Sequence, residues 1–547
     1  MCFPGWDSPS VFSSLLGGPG CYQVAPADDR FVWGGHYEES TLIWNDRWIT
    51  TDSVLECRTA LAFPGAAGTA VLLRRVKAVH GRVRVRAQMD VRADYGRRAM
   101  SRVRREGPSW LGVTGAVHLR WTPGPGARRL RSGELGQRLE LDEGDHHDLV
   151  LELSTEPFDD PPRPPDEMWQ ATEAAWRRVV PGLDGIPARR DSAHAFAVLR
   201  GLTTAGGAMV AAATMALPER ADEGRNYDYR YAWVRDQCFV GEAAAEVPGG
   251  EPLVDAAVRF VTERLHEDGP EMKPAYRAGG GLVPSEFELT HLPGYPGGRV
   301  KVGNRVNTQF QLDAFGESLL LLAAAARTDR VDHQQWKAAE IAAAAIAERW
   351  RQPDAGIWEL DDHWWSHSRL TCVAGLRQIA ACTGGPQAGA WTALADTIGA
   401  ETARTCIHSS GRWQRAPDDS RVDAALLLPP IRGAVGADDP RTQATLDAVE
   451  NELCEDGYIY RFREDDRPLG QAEGAFSLCG FVVALAFLQQ GRRDDAVAWF
   501  ERNRASCGPP GLLTEEFDVS ERQLRGNVPQ AFVHALLLET AVRLARA

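Results

Sequence analysis

The residues of this chain best suited to binding a sugar lie in one short segment, from Arg225 to Phe239. It contains three tyrosines, one tryptophan, three arginines and two aspartates within 15 residues. Aromatic faces pack against the apolar C–H faces of a pyranose ring, while arginine and aspartate make paired hydrogen bonds with its hydroxyl groups. The segment therefore favours a carbohydrate pocket, and a buried structural network of Arg–Asp pairs is the alternative interpretation.

Two later loops each carry a glutamate that could act on such a ligand. One loop contains Glu359, which follows Trp358, and the other contains Glu515 and Glu516. Hydrolysis of a glycosidic bond requires one protonated carboxyl group to assist the leaving oxygen and one ionised carboxylate. Apolar surroundings favour the protonated form, which suits Glu359. Taken alone, Glu359 also fits a surface carboxylate, and Glu515 and Glu516 fit acidic residues at a helix N-terminus.

Composition and charge indicate a globular protein with more than one domain. The chain has 547 residues, of which 44% are hydrophobic and 25% charged, and this length exceeds what one hydrophobic core supports. The net charge of −14 argues against binding to nucleic acid or to an anionic membrane surface. The basic stretch Arg97–Arg105 is interpreted as a solvated strand edge or loop.

No metal, cofactor or targeting motif is evident in the sequence. The ten cysteines include no Cys-x-x-Cys pair, and His146-His147 is interpreted as a solvated turn rather than a metal site. The first residues show no secretory pattern, and the longest apolar run, Phe481–Leu488, is too short to span a bilayer. We therefore predict a cytoplasmic protein that needs no redox or organic cofactor, and we assign no metal-ligating residues.

The elements that must position these residues change in type along the chain. Residues 20–155 alternate between polar and apolar, which predicts an antiparallel sandwich with strands near 69–76, 82–91, 116–121 and 147–153. Five prolines between Pro157 and Asp166 predict a linker. Alanine- and leucine-rich stretches then predict paired helices, at 167–180, 192–215, 312–327, 334–350, 370–382, 388–407, 476–489, 494–504 and 530–546.

The chain resembles glycoside hydrolase family 15, the family of glucoamylases, glucodextranases and bacterial trehalases, in segments that run nearly from end to end. The segments that carry the resemblance are Trp6 to Phe12, Gly201 to Glu219, Arg225 to Asp236, Glu288 to Tyr295, Val302 to Glu317, Gly356 to Glu359, Glu473 to Cys479 and Leu513 to Asp518. The resemblance implies a multidomain α and β fold, with an N-terminal antiparallel β-sandwich followed by a six-hairpin (α/α)6 barrel. We expect the sandwich at 1–156, a linker with a helix at 157–191 and the catalytic barrel at 192–547.

The resemblance also implies an activity and a site. The chain is similar to inverting, exo-acting hydrolases of α-glucosidic bonds. The resemblance implies that Glu359 is the general acid and Glu515 the general base. Glu516 is the less favoured choice for the base. An inverting mechanism predicts that the two carboxyl groups lie about 6.5–9.5 Å apart, which leaves room for a water molecule. The residues expected to bind the terminal glucose are Tyr229, Trp233, Arg235, Asp236 and Trp358.

Two questions stay open on the sequence. The substrate is either trehalose or a short α-glucan, because the residues of the second sugar subsite have no recognisable motif. Bacterial members of the family carry an additional strand segment before the region that matches Trp6 to Phe12, so we expect either a misassigned start codon or a sandwich that lacks edge strands. A catalytically silent carbohydrate-binding or scaffold protein of the same fold is the alternative, which retention of both Glu359 and Glu515 disfavours. The sequence predicts no oligomeric state.

Overall fold

The computed structural model describes residues 1–220 and 224–547, which form two compact units. The first unit comprises residues 1–181, 290–296 and 509–511. The second comprises the described residues of 182–289, 297–508 and 512–547. The domain ranges expected from the sequence stay a prediction.

The first unit is built from two antiparallel sheets. A four-stranded sheet has the order β1-β6-β11-β10, and an eight-stranded sheet has the order β2-β3-β4-β5-β12-β9-β8-β7. The strands are β1 (Cys21–Pro26), β2 (Val32–Tyr37), β3 (Trp44–Ile49), β4 (Val54–Leu61), β5 (Thr69–His80), β6 (Val83–Asp90), β7 (Ser101–Glu106), β8 (Ser109–Thr114), β9 (Val117–Thr122), β10 (Arg128–Arg129), β11 (Leu135–Leu141) and β12 (His146–Ser154).

Alternating side chains of the two sheets form one core between them. In β6, buried and exposed residues alternate from Val83 to Gln88, as expected for a strand with one solvated face. Tyr22 of β1 and Trp121 of β9 meet across the core, where the indole nitrogen donates to the tyrosine hydroxyl at 3.0 Å. Their rings pack edge to face with centroids 6.3 Å apart. The predicted antiparallel sandwich is therefore confirmed.

The basic stretch forms an exposed edge of the larger sheet. Strand β7 is the last strand in the sheet order, and Arg102, Arg104 and Arg105 are all exposed. Charged side chains on an edge strand hinder pairing with another sheet. This agrees with the solvated strand edge expected from the sequence.

A helix follows the proline-rich segment. Helix α1 (Pro165–Val179) begins with a proline in its first turn, where a missing N–H group costs no hydrogen bond. Trp169 and Trp176 lie two turns apart and are both buried. The indole nitrogen of Trp169 donates to Asp148 Oδ1 of β12 at 3.0 Å, so the helix is fixed to the sheet.

The second unit is a double ring of helices. Its helices are α2 (Arg189–Leu202), α3 (Val234–Ala245), α4 (Glu251–Asp268), α5 (Asp313–Arg327), α6 (His333–Arg349), α7 (Ser366–Ala381), α8 (Gly385–Thr405), α9 (Leu428–Ile431), α10 (Pro440–Leu453), α11 (Ser477–Gln489), α12 (Arg493–Arg504) and α13 (Ala531–Arg546). Contacts close the inner ring in the order α3, α5, α7, α9 with the 3₁₀ turn before it, α11 and α13. Each inner helix packs against an outer partner, so the predicted (α/α)6 barrel is confirmed.

Short strands and 3₁₀ turns lie within the loops that connect the helices. The strands are β13 (Ala232–Trp233), β14 (Ala275–Tyr276), β15 (Phe287–Glu288), β16 (Lys301–Val302), β17 (Cys454–Glu455), β18 (Tyr458–Ile459), β19 (Ala475–Phe476), β20 (Glu516–Asp518) and β21 (Gln523–Arg525). The 3₁₀ turns are Ser14–Leu16 of the first unit and, in the second, Gly269–Glu271, Arg305–Thr308 and Ala424–Leu427. Strand β13 pairs with β14, and β20 lies between β19 and β21. These pairings fix the loops that carry the candidate site residues.

One predicted helix is too long. The sequence predicts a helix over 192–215, but α2 ends at Leu202. The next residue, Thr203, is extended, and Gly207 has φ of +97°, a conformation that favours glycine. Residues 208–216 are instead irregular and largely buried.

Nothing in the described part of the chain forms a helix long and apolar enough to cross a membrane.

Candidate active site

A single cavity of about 310 Å³ in the second unit gathers the residues singled out in the sequence. All seven predicted site residues line it, although they come from three distant parts of the chain. They are Tyr229, Trp233, Arg235, Asp236, Trp358, Glu359 and Glu515. This volume is at the small end of the range for small-molecule sites.

Backbone pairing holds the first part of the sugar-binding segment in an extended conformation. The N–H groups of Ala211, Ala212 and Ala216 donate to the carbonyl oxygens of Tyr231, Tyr229 and Tyr227, at 2.8–2.9 Å. Successive side chains of an extended chain point to opposite sides. The segment therefore has two faces with different roles.

The two interpretations of this segment each describe one of those faces. Asp228 and Arg230 are fully buried and form a two-bond ion pair, with Arg230 Nη2 donating to Asp228 Oδ2 at 2.7 Å. Tyr227 and Tyr229, on the other face, line the cavity and stack with ring centroids 6.2 Å apart. Residues of the structural network and of the cavity wall thus alternate from Tyr227 to Arg230.

The second part of the segment begins a helix that points its first turn at the cavity. Trp233 precedes α3, and Arg235 and Asp236 lie in its first turn. Arg235 Nη1 donates to the carbonyl oxygen of Ile357 at 2.6 Å, and its Nη2 lies 3.5 Å from Asp236 Oδ2. Arg235 therefore joins the start of α3 to the loop that carries Glu359.

Asp236 is a buried carboxylate with capacity to accept further hydrogen bonds. Neither of its carboxylate oxygens accepts a hydrogen bond from any residue that the structure describes. Burial raises its pKa to about 7, opposed by the charge of Arg235. A buried acceptor without a donor is costly unless a ligand supplies one. Its place in the cavity wall suits hydroxyl groups of a bound sugar.

The loop between α6 and α7 presents Glu359. Its ends are joined by reciprocal backbone hydrogen bonds between Asp354 and His363, each 2.9 Å long. Glu359 has φ of +56°, a strained conformation for a residue other than glycine. Trp233 Nε1 donates to Glu359 Oε1 at 2.6 Å, and Arg235 Nη2 lies 3.8 Å from the same oxygen.

Trp358 is fixed by an aspartate that the sequence analysis did not identify. Its indole nitrogen donates to Asp423 Oδ1 at 2.9 Å and to Oδ2 at 3.1 Å. Asp423 also accepts the N–H of Ala425 and so caps the 3₁₀ turn before α9. The ring of Trp358 meets Phe476 edge to face at 5.2 Å. Both contacts hold the indole against the cavity wall.

Glu515 lines the same cavity and lies immediately before β20. Its carbonyl oxygen accepts the N–H of Ser477 at 2.8 Å, and its Oε2 accepts the hydroxyl of Tyr229 at 2.5 Å. Burial raises the pKa of Glu515, while the hydrogen bond from Tyr229 and the charge of Arg461 oppose the rise. Both opposing effects favour the ionised form that a base requires.

Glu516 points away from the cavity. It is the first residue of β20 and is fully buried, and it is not among the lining residues. Its Oε2 accepts the N–H of Gly474 at 2.7 Å, and its Oε1 lies 3.3 Å from Arg225 Nη2. Of the two adjacent glutamates, Glu515 is therefore the one that faces a ligand.

Three charged residues around Glu515 were not named as site residues from the sequence. Glu219, Arg225 and Arg461 all line the cavity. Arg461 Nε and Nη2 both donate hydrogen bonds to Glu473 Oε2. The guanidinium carbon of Arg461 lies over the ring of Phe476, 4.6 Å from its centroid. The only sequence signal was that Glu219 and Arg225 lie in segments that carry the family resemblance.

The best candidate for a metal site among the described residues lies in the first unit. His146, Asp148 and Asp166 place one ligand atom each within 4.8 Å of one another. Arg75 Nη2 already donates to Asp148 Oδ2 at 2.8 Å and to Asp166 Oδ1 at 2.5 Å. An arginine in the middle of the group disfavours a cation there.

Comparison with known proteins identifies related sequences over the whole chain. The model for "Glycosyl hydrolases family 15" matches residues 197–542, and that for "Trehalase-like, N-terminal" matches residues 1–126. A trehalase of Mycolicibacterium smegmatis is 30% identical over 590 residues, which cover all of this chain and 88% of the relative. A trehalase of Mycobacterium tuberculosis is 30% identical over all of this chain and 86% of its own length. Trehalase 1 of Sulfolobus acidocaldarius is 27% identical over 98% of this chain and 93% of its own length.

A solved structure shares the fold. A bacterial glucoamylase complexed with acarbose matches with a TM-score of 0.73 at 12% identity, covering 99% of this chain and 90% of that one. At this identity the similarity shows the fold alone. It agrees with the sandwich and barrel described above.

Proposed function

The chain belongs to glycosyl hydrolases family 15 and is a glycoside hydrolase, and on this premise we propose that it hydrolyses trehalose with inversion of configuration. In this proposal Glu359 is the general acid and Glu515 the general base. Tyr229, Trp233, Arg235, Asp236 and Trp358 bind the glucose unit that is attacked.

One observation carries the proposal. The two glutamates are held by two neighbouring aromatic residues, Glu359 by the N–H of Trp233 and Glu515 by the O–H of Tyr229. The rings of Tyr229 and Trp233 pack edge to face, with centroids 5.7 Å apart. A rigid aromatic pair that orients one carboxyl group at each end suits a reaction that needs an acid and a base on opposite sides of one sugar.

The acid step cleaves the glycosidic bond. Glu359 gives its proton to the glycosidic oxygen while the bond from this oxygen to the anomeric carbon breaks. The departing sugar leaves with that proton as a hydroxyl group. The side chain of Glu359 is 26% exposed, which provides a route for it to regain a proton from solvent.

The base step forms the new bond from the opposite face of the ring. Glu515 accepts a proton from a water molecule while the oxygen of that water bonds to the anomeric carbon. Attack opposite to an α-linked leaving group gives β-glucose. The expected carboxyl separation of about 6.5–9.5 Å stays a prediction, and a structure with a bound sugar would measure it.

Arg235 and Asp236 are suited to holding hydroxyl groups of the attacked glucose. Arg235 offers guanidinium donors, and Asp236 offers two acceptor oxygens that no described residue occupies. A pair of opposite charges with both donor and acceptor capacity matches vicinal hydroxyl groups. Tyr229 and Trp233 supply the apolar wall of this subsite.

Trehalose is favoured over a short α-glucan as substrate. The relatives that this chain matches over nearly its whole length carry the name trehalase. The cavity, at about 310 Å³, is also small for a binding groove that accommodates a long chain. The cytoplasmic location indicated by the sequence stays a prediction.

The test is to follow the anomers released from trehalose by proton NMR before they equilibrate. Inversion at one ring leaves the other ring α, so each trehalose yields one β-glucose and one α-glucose. Two α-glucose molecules would contradict inversion. Faster hydrolysis of maltose or maltotriose than of trehalose would contradict the substrate, and no hydrolysis of any α-glucoside would contradict the proposal as a whole.

A further inference from the structure

Glu219 is a further carboxyl group in the cavity lining, and it contacts Tyr229, which donates a hydrogen bond to Glu515. Its side chain is almost fully buried. Its Oε1 lies 3.2 Å from the hydroxyl of Tyr229, the group that donates to Glu515 at 2.5 Å. Tyr229 has one hydroxyl hydrogen, so it cannot donate fully to both glutamates.

The position of Glu219 is fixed from several directions. Its N–H donates to the carbonyl oxygen of Arg225 at 2.9 Å, and its Oε2 lies 3.3 Å from Arg225 Nη2. Gly526 packs against its side chain so closely that a Cβ there would lie 3.0 Å from Glu219 Cγ. Gly526 also donates its N–H to the carbonyl oxygen of Pro218 at 3.0 Å. The carboxyl group is thus held toward Tyr229.

Negative charge exceeds positive charge around Glu219. The carboxyl groups that interact here belong to Glu219, Glu473, Glu515 and Glu516. The guanidinium groups belong to Arg225 and Arg461, and Arg235 also acts on Glu515. Tyr227 and Tyr229 are the neutral titratable neighbours. Four buried carboxylates cannot all be ionised beside three cations without a large penalty, so protons are retained within the group.

Glu219 is the member best placed to retain a proton. Glu473 has Arg461 as a close partner, and Glu516 has the N–H of Gly474. Glu219 shares Arg225 Nη2 with Glu516, at 3.3 Å each, and with Glu473, at 3.6 Å. Burial raises the pKa of Glu219 well above its usual value, and the charges of Glu516 and Glu515 raise it further.

We propose that Glu219 is a positioning residue for the general base, whose neutral carboxyl group donates a hydrogen bond to the carboxylate of Glu515. Together with the hydroxyl of Tyr229, this bond keeps Glu515 ionised and oriented toward the attacking water. The two carboxyl groups meet at the hydroxyl of Tyr229, which lies 3.2 Å from Glu219 Oε1 and 2.5 Å from Glu515 Oε2. The inference rests on the proposed role of Glu515 as the base. In the reaction the proton of water goes to Glu515 and then to solvent, while Glu219 keeps its own.

Two substitutions of Glu219 test whether the site requires a hydrogen-bond donor at this position or a negative charge. Glu219→Gln keeps an N–H donor of nearly the same shape, so we expect kcat on trehalose within about 5-fold of wild type. Glu219→Leu removes the donor, so kcat should fall about 10- to 100-fold and the acid limb of the kcat/KM profile should move up by roughly one pH unit. KM should change little in both. Glu455→Gln is the matched control, because Glu455 accepts the hydroxyl of Tyr460 at 3.0 Å but does not line the cavity.

The pH profile distinguishes this role from a structural one. A merely structural Glu219 would lower the thermal stability of Glu219→Leu and leave the acid limb where it is in wild type. That result would overturn the inference, as would a Glu219→Gln variant as slow as Glu219→Leu, because an ionised Glu219 would then be required.

A spectroscopic test does not depend on activity or on Glu219→Leu folding. The infrared difference between wild type and Glu219→Gln at pH 7 should contain the C=O band of a protonated carboxylic acid, and the Glu455→Gln difference should not. Absence of that band overturns the Glu219 inference alone. Wild-type kcat in Glu515→Gln would instead contradict the proposed function, so the two failures can be told apart.

Discussion

The indole N–H of Trp233 donates a hydrogen bond to Glu359 Oε1 at 2.6 Å, across 126 residues of sequence. Trp233 ends strand β13 just before α3, whereas Glu359 lies in a loop two hairpins further along the barrel. The bond fixes one carboxylate oxygen of Glu359 and leaves the other for a ligand. The orientation of the proposed acid is therefore set by a residue of the sugar-binding segment.

Trp233→Phe tests this bond, because it keeps an aromatic ring and removes the N–H donor. We expect kcat on trehalose to fall about 10- to 100-fold, because the proposed acid loses the hydrogen bond that orients it. KM should change less, because the phenyl ring still packs against the sugar. Steady-state kinetics measures both. Trp413→Phe is the control, since Trp413 is a buried tryptophan of the same unit that does not line the cavity. Equal losses in both variants would show that the effect is not specific to Glu359.

Glu359→Gln and Glu515→Gln should differ in their dependence on the leaving group. On trehalose both should lose about 10²- to 10⁴-fold in kcat, since each removes one proton transfer. On α-glucosyl fluoride, whose leaving group needs no proton, Glu359→Gln should recover most of its rate. Glu515→Gln should stay slow, because the water still needs a base. The reverse pattern would exchange the two assignments.

Sugar binding should release protons through Asp236. Its pKa of about 7 in the free protein means that the carboxyl is partly protonated at neutral pH. Hydroxyl donors from a sugar favour the ionised form and lower the pKa, so binding should release up to about half a proton at pH 7. Calorimetry of a non-hydrolysable thio-linked trehalose analogue, in buffers with different ionisation enthalpies, measures this number. Asp236→Asn should bind without that release, and an unchanged proton count in the variant would contradict the role of Asp236.

Asp313→Asn should change the pH dependence of stability. Asp313 is fully buried, and burial followed by the charge of Asp354 raises its pKa to about 7. A carboxyl with a raised folded-state pKa binds more protons when folded, so its stabilising contribution is complete below about pH 4 and is lost as the pH rises through 7. Asn carries no charge at any pH.

The measurement for Asp313 is the free energy of unfolding in denaturant at pH 5.5 and pH 8. Relative to wild type, we expect Asp313→Asn to gain about 1–3 kcal/mol more at pH 8 than at pH 5.5, because roughly half of the stabilising contribution is already lost at pH 5.5. Asp361→Asn, at an exposed position, serves as the control. A gain that is the same at both pH values would contradict the raised pKa.

Gly316→Ala should destabilise the barrel through the contact between α5 and α7. A Cβ at Gly316 would lie 2.7 Å from the carbonyl carbon of Thr371, and a Cβ at Gly375 would lie 2.4 Å from the carbonyl oxygen of Gly316. These neighbours are backbone atoms and cannot move aside as a flexible side chain could. We expect a loss of about 1–3 kcal/mol in unfolding free energy. Gly399→Ala in α8, where the nearest atoms are at 3.8 Å, should be neutral or slightly stabilising.

Helices rich in alanine and leucine were predictable from the sequence. The predicted helices at 312–327 and 334–350 agree with α5 and α6 within one residue at each end. Helix propensity identified α5 without a polar face, because nearly all of its residues are buried. Helix α3 was missed, because its first turn belongs to the segment that was interpreted as a sugar-binding site.

The composition of the site was predictable, but its network was not. Tyr229, Trp233, Arg235 and Asp236 are close in sequence, so their joint chemistry was visible in one segment. Asp423 and Arg461, by contrast, lie in loops after α8 and α10, from which Asp423 reaches Trp358 and Arg461 reaches the cavity. No local pattern in the sequence distinguishes them from charges on the surface. Only folding of the barrel brings their charges next to Trp358 and Glu515.

The sequence by itself determined the two fold classes, the residue types of the sugar-binding segment and the glutamates proposed as acid and base. The fold classes and the residue types follow from local patterns, because alternation and helix propensity depend on neighbouring residues, whereas the proposed roles of the glutamates follow from the family resemblance. The tertiary structure decided which side chains of the segment face the cavity, which of Glu515 and Glu516 is available and how Glu219 contacts the tyrosine that holds Glu515. Those outcomes depend on burial and on charges hundreds of residues away, and proximity of that kind exists only in the folded chain.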